Sequence, residues 1–111
     1  MQPDAEQISA TVFAALADPK RRALLTALAQ VGPSTATELG NRLGITRQGV
    51  TKHLDLLEEA GLVTSTAGTG RRVLYQHRTA PLKIAQAYLA ALAADWDAAL
   101  ERLTIYLEES P

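Results

Sequence analysis

At 111 residues, with 47% apolar side chains and a formal net charge of −1, the chain is sized for one domain around a single core. No stretch approaches the roughly 20 uncharged apolar residues of a membrane span, and the start Met1-Gln2-Pro3-Asp4-Ala5-Glu6 lacks the basic segment of a secretory signal, so a cytoplasmic protein without a membrane partner is expected. The lack of cysteine excludes disulfide staples and thiolate metal ligands.

The first apolar set, Ile8, Val12, Phe13 and Leu16, recurs at helical spacing. Asp18-Pro19 then supplies a capping acid and the proline favoured at a first helical position, so a second helix runs to about Gln30 and buries Leu24, Leu25 and Leu28. Gly32-Pro33 stops it. Thr35 and Glu38 form a capping box that opens a short helix showing Leu39 and Leu43 inward, ended by Gly44. Thr46 is the next N-cap, and the helix it opens turns Val50, Leu54 and Leu57 inward as far as Ala60, where Gly61 closes it. Two capped helices joined so tightly form a helix-turn-helix over residues 35–60. Leu62–Thr66 and Arg72–His77, either side of a glycine-bearing loop, then predict a β-hairpin over residues 62–78 with Arg71 at its tip. A long helix from about Pro81 to Glu109 completes the chain.

Charge is segregated along these elements. Residues 1–18 and 79–111 each carry −3, whereas residues 19–78 hold nine bases against four acids, a local +5. A basic middle between acidic ends points to a nucleic acid. On the last helix Leu82, Ala85, Leu89, Leu92, Trp96, Ala99, Leu103 and Tyr106 follow alternating steps of three and four, a stripe that wants a partner helix. The remaining elements cover only part of so long a helix, and a symmetric copy would bury the rest, so residues 1–18 and 79–111 are expected to form a homodimer interface centred on Leu82, Ala85, Leu89, Leu92, Trp96, Ala99 and Leu103. Packing on its own domain is the alternative for that stripe.

Several segments together resemble the ArsR family of winged helix-turn-helix repressors. Leu16-Ala17-Asp18-Pro19-Lys20-Arg21-Arg22-Ala23-Leu24-Leu25 is similar to the family's opening signature, residues 36–39, 43–54 and 57–63 to its reading head, and Arg71-Arg72-Val73-Leu74-Tyr75 to its wing. The tail from Trp96 to Leu103 resembles a branch that commonly lacks metal ligands. The resemblance implies a mainly α fold of five helices plus a two-stranded wing, and a homodimeric repressor that binds an inverted-repeat operator in double-stranded DNA. It also leads one to expect alanine where Gly49 stands; glycine inside a helix costs about 1 kcal/mol relative to alanine.

With Val50, Leu54 and Leu57 inward, Thr46, Arg47, Gln48, Thr51 and Lys52 are the exposed residues at the start of the reading helix. Arginine can be bidentate to guanine and glutamine to adenine, while Thr46, Thr51 and Lys52 suit phosphates. Arg71 and Arg72 are expected in or beside the minor groove. Lys20, Arg21 and Arg22 oppose the dipole of the helix they open, which requires a phosphate or an acid such as Asp18 or Glu59 to hold them. No cofactor is expected. His53 and His77 have no partner at ligand spacing and are expected to be structural, although an oxygen-ligand metal site shared across a dimer is an alternative. No nucleophile in recognisable context and no phosphate-binding glycine loop is present, which argues against an enzyme. A winged helix that binds another protein is the remaining alternative, and no residue set here selects an inducer.

Overall fold

The computed structural model describes residues 4–109; Met1-Gln2-Pro3 and residues 110–111, included in the expected domain, lie outside the described residues. The order is α1 (Ala5–Leu16), α2 (Pro19–Val31), α3 (Ala36–Leu43), α4 (Arg47–Glu59), β1 (Val63–Ala67), β2 (Val73–His77) and α5 (Ala80–Glu109). Helix starts follow the caps: Asp4, Asp18, Thr35 and Thr46 each accept a backbone N–H of the first turn, from Gln7, Lys20, Glu38 and Gly49 respectively, which satisfies donors that the helix itself leaves free. At Gly44 the chain is left-handed (φ 69°), a conformation that costs glycine nothing, and there α3 turns into α4. Helix ends differ from the periodic expectation by a single residue, since the last turn frays into its cap.

The core is built from Val12, Leu24, Leu28, Leu39, Val50, Leu54, Leu57 and Leu62, all essentially inaccessible. Leu25 is only half-buried and Ala27 takes the expected inward place, while Phe13 lies exposed on the far side of α1. β1 and β2 pair antiparallel, with Val63 opposite His77 and Ala67 opposite Val73. Leu62 precedes the ladder; its amide donates to Leu57 O at 2.9 Å and its carbonyl accepts from Arg78 N at 2.7 Å. A further pairing joins Ser34, between α2 and α3, to Tyr75: Ser34 N donates to Tyr75 O (3.0 Å) and Tyr75 N to Ser34 O (2.8 Å). β2 is thereby bonded along both of its edges, to β1 and to Ser34, which fixes the hairpin against the helices.

α1 packs on α5, and α5 divides in two. Ala85 is buried in the chain's own core and Leu82 packs against it, so these two belong to the fold of one chain, whereas Leu89, Leu92, Trp96 and Leu103 are exposed and Ala99 is half-buried. Thirty residues of helix reach about 45 Å, and the radius of gyration is 19.4 Å against about 13 Å for a compact chain of about 100 residues. The distal half of α5 is an arm.

Candidate nucleic-acid interface

The helix-turn-helix is closed at its tightest point by Gly40. Its carbonyl accepts from Ile45 N at 3.0 Å, and an added Cβ would lie 2.6 Å from Ile45 O. Only glycine lets the α3–α4 turn sit this close, which sets where α4 begins. On α4 the side chains of Thr46, Arg47, Gln48 and Lys52 are exposed and that of Thr51 is half-buried, so the geometry brings these five together at one end of one helix. Asp55 borders the same surface, in a shallow cleft with Arg47, Gln48, Thr51 and Lys52.

Two of the hydroxyls differ in what they have left to offer. Thr51 Oγ1 donates to Arg47 O at 3.0 Å, so its proton is engaged within the helix and its lone pairs suit a donor such as a base amino group, not a phosphate. Thr46 Oγ1 accepts from Gly49 N at 3.1 Å, which leaves its proton for a phosphate oxygen. Gly49 itself is crowded: a Cβ there would meet Thr46 Oγ1 at 3.1 Å and Ile45 Cγ2 at 3.2 Å.

Between the start of α3, α4 and the hairpin runs a groove of about 470 Å³, bordered by Thr35, Thr37, Arg47, Thr51, Arg71, Arg72 and Tyr75. Reading helix and hairpin tip thus face one channel. Arg71 is exposed. Arg72 is not simply a solvated turn residue: its Nη2 donates to Glu38 Oε1 at 2.7 Å. Tyr75, one of the quoted wing-like residues but not among the expected contacts, has its hydroxyl pushed above the ordinary tyrosine range by burial and by the fields of Asp55 and Glu58, so it remains a neutral hydrogen-bonding group on the groove wall.

In the basic run at the start of α2, the expected acid Asp18 pairs with Arg21, and backbone carbonyls hold Arg21 and Arg22 as well. Arg21 Nε donates to Ala15 O (2.6 Å) and its Nη2 to Ala14 O (3.2 Å), while Arg22 Nη1 donates to Leu16 O (2.6 Å) and Ala17 O (3.3 Å). Both cations cap the C-terminal carbonyls of α1, where the dipole favours them. Arg21 also lies 3.8 Å from Asp18. The Asp18 carboxyl is held below the usual carboxylate range, first by the Lys20 amide and then by the fields of His53 and Arg21. Lys20 and half-buried His53 border a second groove beside Thr46. Among the described residues no three His, Asp or Glu side chains converge to hold a metal ion.

A helix-turn-helix followed by a hairpin that shares a groove with the second helix defines a winged helix-turn-helix protein. A helix-turn-helix domain family matches residues 16–66. The chain is 45% identical over 69 residues to YuzN, an uncharacterized HTH-type transcriptional regulator of Bacillus subtilis (strain 168), covering 57% of this chain and 75% of that protein. The solved structure of an ArsR-like transcriptional regulator from Rhodococcus sp. RHA1 superposes with a TM-score of 0.82 at 35% identity, over 93% of this chain and 95% of the other. That of an ArsR family transcriptional regulator superposes at 0.73 and 31%, over 87% and 97%. The chain belongs to the ArsR-like family of winged helix-turn-helix transcriptional regulators, a family of regulators and not of enzymes.

Proposed function

We propose that the protein is a homodimeric repressor that binds an inverted-repeat operator in duplex DNA, with α4 in the major groove and the wing beside the flanking backbone. The observation that carries this reading is the groove shared by Arg47, Thr51 and the wing arginines. No acid is among the residues that border it. In this reading Arg47 and Gln48 read base edges, Thr46 and Lys52 hold phosphates, Thr51 accepts from a base, and Arg71 and Arg72 follow the backbone or the minor groove. Residues 35–60 form the reading head and 62–78 the wing.

The α5 arm supports the dimer. Leu89, Trp96 and Leu103 are 50%, 63% and 53% exposed, a continuous apolar stripe that water disfavours and that a second copy would cover. Ala10, Phe13 and Ala14 form an exposed apolar face on α1, the helix that packs on α5. Residues 1–18 and 79–111 associate in this reading, minus Leu82 and Ala85, which the chain's own core occupies. Paired two-fold, the copies present two α4 helices to half-sites about one turn of B-DNA apart, roughly 34 Å. No described helix is long and apolar enough to cross a membrane, and a chromosomal operator places the protein in the cytoplasm.

The test is fluorescence anisotropy against duplexes selected from a random library, titrated with salt. Submicromolar binding that weakens steeply as salt rises is expected, because each neutralised phosphate releases counterions. Binding that ignores salt, or none at all, refutes the proposal in favour of a protein partner.

A further inference from the structure

We infer that Glu38 is a specificity-determining residue, an acid that holds Arg72 in place while keeping the DNA groove from being indiscriminately positive; this rests on the DNA-reading function proposed above. The Glu38 carboxylate is fixed at the start of α3. Its Oε1 accepts from Thr35 Oγ1 at 3.1 Å and from Arg72 Nη2 at 2.7 Å, and its own amide donates back to Thr35 Oγ1 at 3.1 Å. Arg72 makes no other side-chain hydrogen bond among the described residues, so four of the five N–H donors of its guanidinium stay free.

The contact is not what builds the wing. β2 is tied to Ser34 by two backbone bonds, β1 is tied to α4 by Ser65 Oγ donating to Glu58 Oε1 at 2.9 Å, and Gly68 N donates to Arg72 O at 2.8 Å across the hairpin loop. With the wing held by these, what Glu38 governs is the aim and the net charge of one arginine. The pair is open to water, 59% and 53% exposed, and such pairs are weak enough for a phosphate to compete with them.

Three arginines border the groove and no acid does. Non-specific affinity follows the number of phosphates neutralised, so every added positive charge strengthens binding to all sequences alike. An acid behind one of the three lowers that sequence-blind affinity, and by fixing the guanidinium it preserves the contact made when the correct duplex is seated. Repulsive elements of this kind are a general route to discrimination.

The experiment measures Kd by fluorescence anisotropy between about 50 and 200 mM salt. It compares the duplex recovered by selection on the wild-type protein with a scrambled duplex of the same composition. The proteins are wild type, Glu38→Gln, Arg72→Gln and the double variant; Glu38→Gln keeps a side chain able to bond Thr35, Arg72→Gln leaves the α3 cap untouched, and thermal melts verify folding of each. Glu38→Gln is expected to tighten the scrambled duplex severalfold, with a salt slope steeper by about 0.9, and to tighten the selected duplex less, so that the ratio of the two falls. In the Arg72→Gln background the same change should leave that ratio unmoved. An unchanged ratio in Glu38→Gln, or an equal fall with and without Arg72, overturns the assignment while leaving DNA reading intact. Wild-type protein that discriminates no duplex and ignores salt overturns DNA reading itself. Should Glu38→Gln fail to fold, the salt slope of Arg72→Gln decides: a loss well below one phosphate for both duplexes would show that Arg72 never reaches DNA.

Discussion

Replacing Gly40 with alanine tests whether the position of the reading helix is set by a backbone contact. The new methyl group would lie 2.6 Å from Ile45 O, where ordinary contact begins near 3.4 Å, so the turn must retreat by about 0.8 Å. A carbonyl cannot rotate out of the way as a side chain can. Ile45 is also tied to Gly40 through its N–H, and the retreat stretches that bond. Overpacking of a buried site costs roughly 1–3 kcal/mol, and alanine returns up to about 1 kcal/mol through helix propensity. The net expectation is a loss of about 1–2 kcal/mol, a melting temperature lower by roughly 5–10 °C in a domain of this size, and weaker DNA binding because α4 starts from a displaced turn. Thermal melts at one fixed protein concentration measure it, since association also raises stability. Gly49→Ala is the control: its Cβ meets only side-chain atoms at 3.1 and 3.2 Å, which can adjust, so the helix-propensity gain should leave its stability within about 0.5 kcal/mol of wild type. A Gly40→Ala protein that melts at or above the wild-type temperature, or is less affected than Gly49→Ala, refutes the reasoning.

Ser9→Ala should stabilise the fold by about 1 kcal/mol, because Ser9 Oγ is fully buried with no hydrogen-bond partner among the described residues and an unsatisfied hydroxyl carries its desolvation cost uncompensated; a lower urea midpoint would reveal a partner for it. Gln48→Ala should weaken binding at particular base pairs by about 1–3 kcal/mol, whereas Lys52→Ala should weaken every sequence alike and reduce the salt slope by about 1. Equal patterns in a competition against single-base variants of the selected duplex would remove the division between base and phosphate contacts. Trp96→Glu should give monomers by light scattering with helical content retained, as Ala85 is the buried residue of α5; a persistent dimer would show that the arm associates through another face.

Most of the fold is legible because its signals are local. Asp18-Pro19, Thr35 with Glu38, and Thr46 after Gly44 each act within four residues, and each helix starts at its cap. The wing was legible as two β-rich runs, but not the pairing of Ser34 with Tyr75, since one residue has no period and its partner is distant in the chain. The heptad spacing presents the stripe on α5 as one surface. It divides because α1 returns to cover Ala85, and a heptad spacing does not record which of its positions the same chain will occupy. Nor does a glycine in a short helix announce, as Gly40 does, that a backbone lies against it.

The charges mark the deeper limit. Nine bases between Pro19 and Arg78 suggest a broadly basic reading face, yet Arg21 and Arg22 face the carbonyls of α1, and Arg72 is answered by Glu38 from 34 positions away. Neither arrangement leaves a trace in a charge count, because a carbonyl carries no formal charge and an ion pair across the fold is invisible to spacing. In the reading proposed above, the cations that serve DNA are a smaller set, Arg47, Lys52, Arg71 and the partly masked Arg72, supplemented by Gln48 and the free proton of Thr46. A protein that relied on net charge would bind any duplex; one that uses its bases structurally and partly masks another must gain its affinity from fit. In the proposed dimer the second reading head then matters most, since a half-site served by so few cations binds weakly alone and linking two half-sites raises affinity beyond what either set of cations gives by itself.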